Sequence, residues 1–285
     1  KGKVIQAFPK TNKVLVEGMN GIEKKIGHKP KISLLTLNAK SPQLSDVKVR
    51  EGIVTGIDRE TLSKIWFQGL PYQETPPGSF IIHSFQPTYQ DNFSKVVSYD
   101  PEKANKILDE AGWVKGSDGI REKDGQKLSL RYVLTGAEEI TKNTASAFQK
   151  MMKEIGVDIK IEERPSSEFS NIYTARDFDL FPMGFTSSDP FGVAFFDQTY
   201  GSDSDLNVSS TGDAAGDAKI KELQDLPTRD EQTARSNEIE PDFLKRFGIV
   251  PMYAGPDMFA QKEGLANVGA YGFAIVKPQN IGWKK

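Results

Sequence analysis

The side chains best suited to chemistry in this chain crowd one short stretch, GFTSSDPFGVAFF at residues 184–196. It sets hydroxyls, one carboxylate and aromatic rings between apolar segments, a combination fitted to holding a ligand. A polar ligand with apolar parts needs hydrogen-bond partners, a charge opposite any charge of its own, and apolar walls that tolerate varied shapes. Ser187, Ser188 and Asp189 can supply the first two, and Phe185, Phe191 and Phe195 the third. The same phenylalanines could instead fill a core, and the serines could simply shape a turn.

Signatures of turnover are missing elsewhere. His28 and His83 are the only histidines, and neither stands in metal-ligand spacing with a carboxylate. Cysteine is absent, which excludes a thiol nucleophile, thiolate metal chemistry and a disulfide framework. The sequence contains no G-x-S-x-G elbow, no P-loop and no G-x-G-x-x-G. Carboxylates are plentiful enough to pair by chance. The expectation is a protein that is not an enzyme, with no catalytic residue, metal or cofactor.

The elements that must position the 184–196 stretch can be read from caps and periodicity. Asp46 can cap a helix carrying Val49, Ile53 and Ile57, and Asp58 a second carrying Leu62, Ile65 and Trp66. Asp100, Pro101 and Glu102 open a third helix, which Gly112 stops. Leu128–Leu134 alternates, 140–155 has helical spacing, and Val157, Ile159 and Ile161 alternate again, which predicts a strand, helix, strand crossover of right-handed sense. FDLFPMGF at 178–185 is a further strand. Ligand crevices lie beyond strand carboxyl ends in such sheets, so its exit into SSDPFGV is well placed for binding. Two more helices follow, from Asp213 or Asp217 to Leu226, and from Thr228, with Glu231 as its capping-box partner, to Phe247, where Pro241 should introduce a kink. Residues 70–98, with Pro71, Pro76, Pro77 and Pro87, read as an irregular loop over the surface.

At 285 residues the chain can bury a sizeable core, and no apolar run reaches the length of a membrane span. Charge is uneven: residues 1–31 carry a net of +6, leaving −8 for the rest. KVIQAFPKTNKVLVEG reads as a small hairpin turning at Pro9, Thr11 and Asn12. The start at Lys1 looks internal to a longer chain or processed.

Several ordered motifs carry a family resemblance. SDVKVREGIVTGIDRETLSKIWF (45–67), YDPEKANKILDEAGW (99–113) and the 184–196 stretch resemble family 5 extracellular solute-binding proteins, the capture subunits of peptide-type ABC importers. GIEKKIG (21–27) is similar to a strand that precedes the first block in that family. KISLLTLNAKSP (31–42) and IVPMYAGPDMFAQ resemble its two hinge strands. The C-terminal LANVGAYGFAIVKPQNIGWKK resembles actinobacterial members. Taken alone, KGKVIQAFPKTNKVLVEGMN also resembles a KOW-type ribosomal protein segment. The alternative is therefore an RNA-binding segment at 1–31 fused to a non-catalytic α/β domain.

The resemblance implies an α/β, periplasmic-binding-protein-like (class II) lobe with a mixed sheet flanked by helices, plus fragments of the second lobe. A partial lobe-1 segment and hinge strand would occupy 1–41, a complete ligand-binding lobe 42–248, and the return hinge strand with a C-terminal lobe-1 segment 249–285. Another half-chain would precede Lys1 in a full member. The implied function is capture of peptides or a similar small solute in a cleft between two lobes and delivery to a membrane ABC permease. The protein would be a monomer without nucleic acid, extracellular or periplasmic, and lipid-anchored at the cell surface.

In the family's W-x-x-D pattern the tryptophan stacks on the ligand and the aspartate pairs with its amino terminus. Here those positions read Phe185 and Ser188, with Asp189 one residue later, so the ammonium contact transfers only if the loop shifts by one. GSDSDLNVSSTG resembles the family's S-D-S-x-x-N segment, which would make Asn207 a ligand contact, although turn formation explains the same residues. Phe169 falls where many members place an aromatic near the pocket; packing against the 140–155 helix is its alternative. Arg50 and Arg59 are expected to bridge helix ends.

Overall fold

Leu34 and Leu35 are neighbours, and each is only 2% exposed. A strand allows this when both faces of its sheet are covered. Their strand, β4 (Lys31–Leu37), sends Ile32 and Leu34 into one apolar cluster and Leu35 and Leu37 into another. It is antiparallel to β10 (Leu180–Thr186) and β11 (Ile249–Tyr253). Beyond β10 lie β8 (Ser129–Thr135) and β9 (Asp158–Arg164), so the sheet order is β11-β4-β10-β8-β9 and the sheet is mixed.

The computed structural model describes residues 3–8, 13–17, 22–136, 138–269, 271–274 and 277–284. They fall into two units: Pro30–Gly255, and Lys1–Lys29 together with Pro256–Lys285. Sequence placed the lobe divisions after residues 41 and 248. The compact units part at Lys29–Pro30 and Gly255–Pro256, because backbone pairing holds β4 and β11 inside the sheet of the larger unit.

In that unit the caps expected from sequence are formed. Asp46 accepts from the Lys48 amide at the head of α1 (Val47–Thr55), and Asp58 from the Thr61 amide at the head of α2 (Arg59–Trp66). Asp100 does the same for Lys103 in α3 (Pro101–Glu110). A small hairpin sheet of β5 (Val114–Lys115), β6 (Arg121–Lys123) and β7 (Gln126–Lys127) follows. The chain then runs β8, α4 (Glu139–Glu154), β9, with β8 and β9 parallel. Helices α1 to α4 cover one face of the sheet with Val49, Ile53, Leu62, Leu108, Phe148 and Met152.

The opposite face is covered by α5 (Phe169–Ala175), α6 (Val193–Tyr200), α7 (Ala214–Asp225) and α8 (Arg229–Leu244). The capping box of Thr228 and Glu231 is complete, and α8 continues through Pro241. Sequence reasoning missed α5 and α6. The VAFFDQTY of α6 is rich in β-branched and aromatic residues and lacks a polar N-cap side chain; its start is Gly192, at φ +77°. The segment 70–98 is irregular, as expected, but does not simply cross the surface. Phe80, Ile81 and Ile82 are each 1% exposed and Asn92 is fully buried.

Within the smaller unit, β1 (Lys3–Phe8) pairs antiparallel with β2 (Lys13–Glu17); the turn around Pro9, Thr11 and Asn12 lies outside the described residues. β3 (Ile22–His28) pairs antiparallel with β12 (Pro256–Lys262), and β13 (Leu265–Ala266) with β14 (Gly282–Trp283).

Candidate functional site

β10 ends at Thr186, and the turn beyond it is folded by its own polar groups. The Ser187 amide donates to the Pro30 carbonyl at 2.8 Å, and its hydroxyl donates to the Asp189 carbonyl at 3.1 Å. Ser187 is thus buried and bonded within the turn. Ser188 is exposed. The Asp189 carboxylate accepts from the Phe191 amide at 2.9 Å and the Ala194 amide at 3.2 Å, which places its charge at the positive end of α6.

Asp189, Val193 and Ala194 form one wall of an open cleft of about 680 Å³ whose other wall is Gln224, Pro227, Arg229 and Gln232. Arg229 lies 4.3 Å from the centre of the Phe191 ring and makes no hydrogen bond or ion pair among the described residues. The cleft therefore offers an acid, a cation, amides and an apolar strip. Sequence reasoning missed Arg229, since nothing in the chain order links the start of α8 to residue 191.

The aromatic residues divide. Phe195 is 8% exposed and stacks on Phe80 with ring centres 5.0 Å apart, so it is core. Phe185 is half-buried and meets Phe80 and Phe195 edge-on. Phe169, 38% exposed, packs on Tyr173 and Phe181 rather than on α4. Asn207 is bound within the fold. It is 3% exposed, its amide donates to the Gly201 carbonyl and its oxygen accepts from the Ser209 hydroxyl.

Arg50 and Arg59 act as bridges. Arg50 donates to the carbonyls of Leu44, Ser45 and Arg246. Arg59 donates to those of Pro77 and Pro251, and burial lowers its pKa to about 10. Among the described residues no three His, Asp or Glu side chains converge as a metal site requires, and no helix is long and apolar enough to cross a membrane.

Comparison with known proteins decides the family. The profile of "Bacterial extracellular solute-binding proteins, family 5 Middle" matches residues 1–207. The chain belongs to family 5 of the bacterial extracellular solute-binding proteins. The match begins at residue 1, so the KOW-like stretch lies inside the family region, and nothing supports the RNA-binding alternative. A relative, the oligopeptide-binding protein OppA of Mycobacterium tuberculosis, is 31% identical over 252 residues, covering 88% of this chain and 42% of its own length. The chain thus spans less than half of that relative.

Solved structures share the fold. The oligopeptide-binding protein AppA of Bacillus subtilis, in complex with a nonapeptide, superposes with a TM-score of 0.73 at 23% identity, over 88% of this chain and 50% of that one. NikA of Brucella suis, in complex with Fe(III)-EDTA, gives 0.72 at 19% identity, over 93% and 53%. The periplasmic-binding-protein-like α/β class expected for family 5 is the class observed.

Proposed function

We propose that this chain carries the solute-contacting part of an ABC importer's capture subunit, that its solutes are peptides, and that Pro30–Gly255 is one complete ligand-binding lobe. The observation that carries the reading is the cleft beside the 185–194 turn. It sets the Asp189 carboxylate, the Arg229 guanidinium and an apolar strip together, the kinds of group a peptide terminus and a varied side chain require. Family membership and the mycobacterial oligopeptide-binding relative support the same class.

In this reading the protein works outside the cytoplasmic membrane, makes and breaks no bond, and delivers its solute to a permease. Solute binding shifts an open-closed equilibrium by its differential affinity for the two forms. The unit of Lys1–Lys29 and Pro256–Lys285 would belong to the second lobe. Anchoring by lipid and a monomeric state complete the proposal.

Calorimetry of the full-length protein against a set of di- to hexapeptides tests it. Peptides should bind, and Asp189→Asn should weaken them by about tenfold, the loss of one charge-assisted contact. No peptide binding alongside tight uptake of a sugar or metal chelate would overturn the peptide claim.

A further inference from the structure

The turn that bears Asp189 is backed by a segment with no regular structure, and one side chain joins the two. Gln86 accepts the His83 amide at 2.8 Å through its Oε1 and donates to the Pro190 carbonyl at 2.5 Å through its Nε2. The Pro190 carbonyl and the Phe191 amide belong to one planar peptide unit. Gln86 grips that plane by its oxygen while Asp189 grips it by its N–H. Rotating the plane would break both bonds and leave the Asp189 carboxylate held by the Ala194 amide alone.

The backing segment is itself anchored. Glu240 of α8, 1% exposed, accepts from the Ser79 hydroxyl, the Phe80 amide and the Asn92 side chain at 3.0, 2.8 and 2.6 Å. Gly192 lies so close to Ile81 that a Cβ there would sit 2.2 Å from its Cγ2. The turn therefore rests on a base that cannot slide.

We propose that Gln86 is a positioning residue for the solute loop: by holding the 190–191 peptide plane it sets the direction of the Asp189 carboxylate. The proposal rests on the reading of this turn as a solute contact. Gln86 is half-buried at the edge of the core, so its variants should fold.

Two substitutions separate its two bonds. Gln86→Leu removes both, whereas Gln86→Glu keeps the acceptor for His83 but cannot donate to Pro190 at neutral pH. Hydrogen exchange needs no ligand, and in both variants the Phe191 and Ala194 amides should exchange about tenfold faster, with the buried Ile81 and Ile82 amides unchanged. Affinity for the di- to hexapeptide set should fall in parallel in both. Unchanged exchange at 191 and 194 overturns the proposal. So does acceleration in the leucine variant that glutamate restores, since that traces the effect to the His83 turn. Faster exchange in both variants with wild-type peptide affinity supports the grip on the loop and overturns the reading of the loop as the solute contact.

Discussion

The two faces of the central sheet are built on different principles. On one, α1 to α4 lay Val49, Ile53, Leu62, Leu108, Phe148 and Met152 against the strands. Each helix satisfies its own backbone, and the buried Arg121 is met by the carbonyls of Ile155 and Asn105 and by Asp109. The other face buries Phe80, Phe178, Phe181, Phe195, Phe196 and Phe243, rings that the first matches with Phe67, Trp113, Tyr132 and Phe247 among others. Part of that wall is the irregular stretch around Phe80–Ile82, whose amides have no ladder to join. A buried backbone without regular structure must find side-chain acceptors, and Glu240 and the Ser79 hydroxyl provide them. Both faces are apolar and the first also carries guanidinium bridges from Arg50, Arg59 and Arg121, but on the second a carboxylate and a hydroxyl hold an irregular segment in place. The turn carrying Asp189 stands on the second.

The most direct way to break this comparison is Glu240→Ala. It strips partners from the Phe80 amide, the Asn92 side chain and the Ser79 hydroxyl at once. At 1–3 kcal/mol for each buried group left unsatisfied, the loss of stability should be about 4 kcal/mol. Urea unfolding reads it directly. A loss below about 1 kcal/mol, the level of an ordinary surface change, would mean that water substitutes for the carboxylate and that the polar key is dispensable.

Acid should also act mainly on the second face. Burial pushes the His83 imidazole down to about 4, so the native state excludes a proton that the unfolded chain binds at its ordinary 6.5. The stability this contributes is present above pH 6.5 and is lost as pH falls through about 4, a change of about 3 kcal/mol at 1.36 kcal/mol per pKa unit. Glu240 has the opposite sign. Burial raises its carboxyl above 4.5 against the pull of its four donors, so its contribution is complete below 4.5 and is lost as pH rises through the raised value. The wild-type slope sums these two with carboxylates such as Asp177 and Asp242, which Arg131, Arg164 and Lys219 hold below their ordinary value. His83→Gln, which does not titrate, should flatten or invert the acid side of a stability profile measured between pH 4.5 and 7; an unchanged profile would remove His83 from the account.

Legibility in the sequence follows the same division. The caps at Asp46, Asp58, Asp100 and Thr228 were readable because a cap is a local bargain between a side chain and an amide two or three residues on. The strand, helix, strand unit of β8, α4 and β9 was readable from its change of period. The turn at 187–191 was singled out by residue type, but the bonds that Ser187 and Asn207 make within the fold were not foreseen. Ser187 and Asn207 are consumed by contacts to Pro30 and Gly201, and no local pattern announces that. Arg229, Gln86 and Glu240 reach residues 38, 104 and 160 positions away, at Phe191, Pro190 and Phe80. Long-range polar contacts leave no periodicity to read.

The smallest expected effect tests whether the first face is as tolerant as its composition suggests. Gly52 sits inside α1 where it crosses α3, and a Cβ there would come within 2.7 Å of Leu108 Cγ. Two effects oppose each other in Gly52→Ala. Replacing glycine inside a helix favours folding by about 1 kcal/mol. Forcing a methyl into a filled core costs about 1–3 kcal/mol, and Leu108, with 0% exposure, has no solvent side to move toward. The clash should win, with a net loss of about 1 kcal/mol and no change in the denaturant slope. A net gain in stability would show Leu108 shifting freely, making the first face plastic. The contrast with the keyed face would then be sharper than close packing on both sides allows.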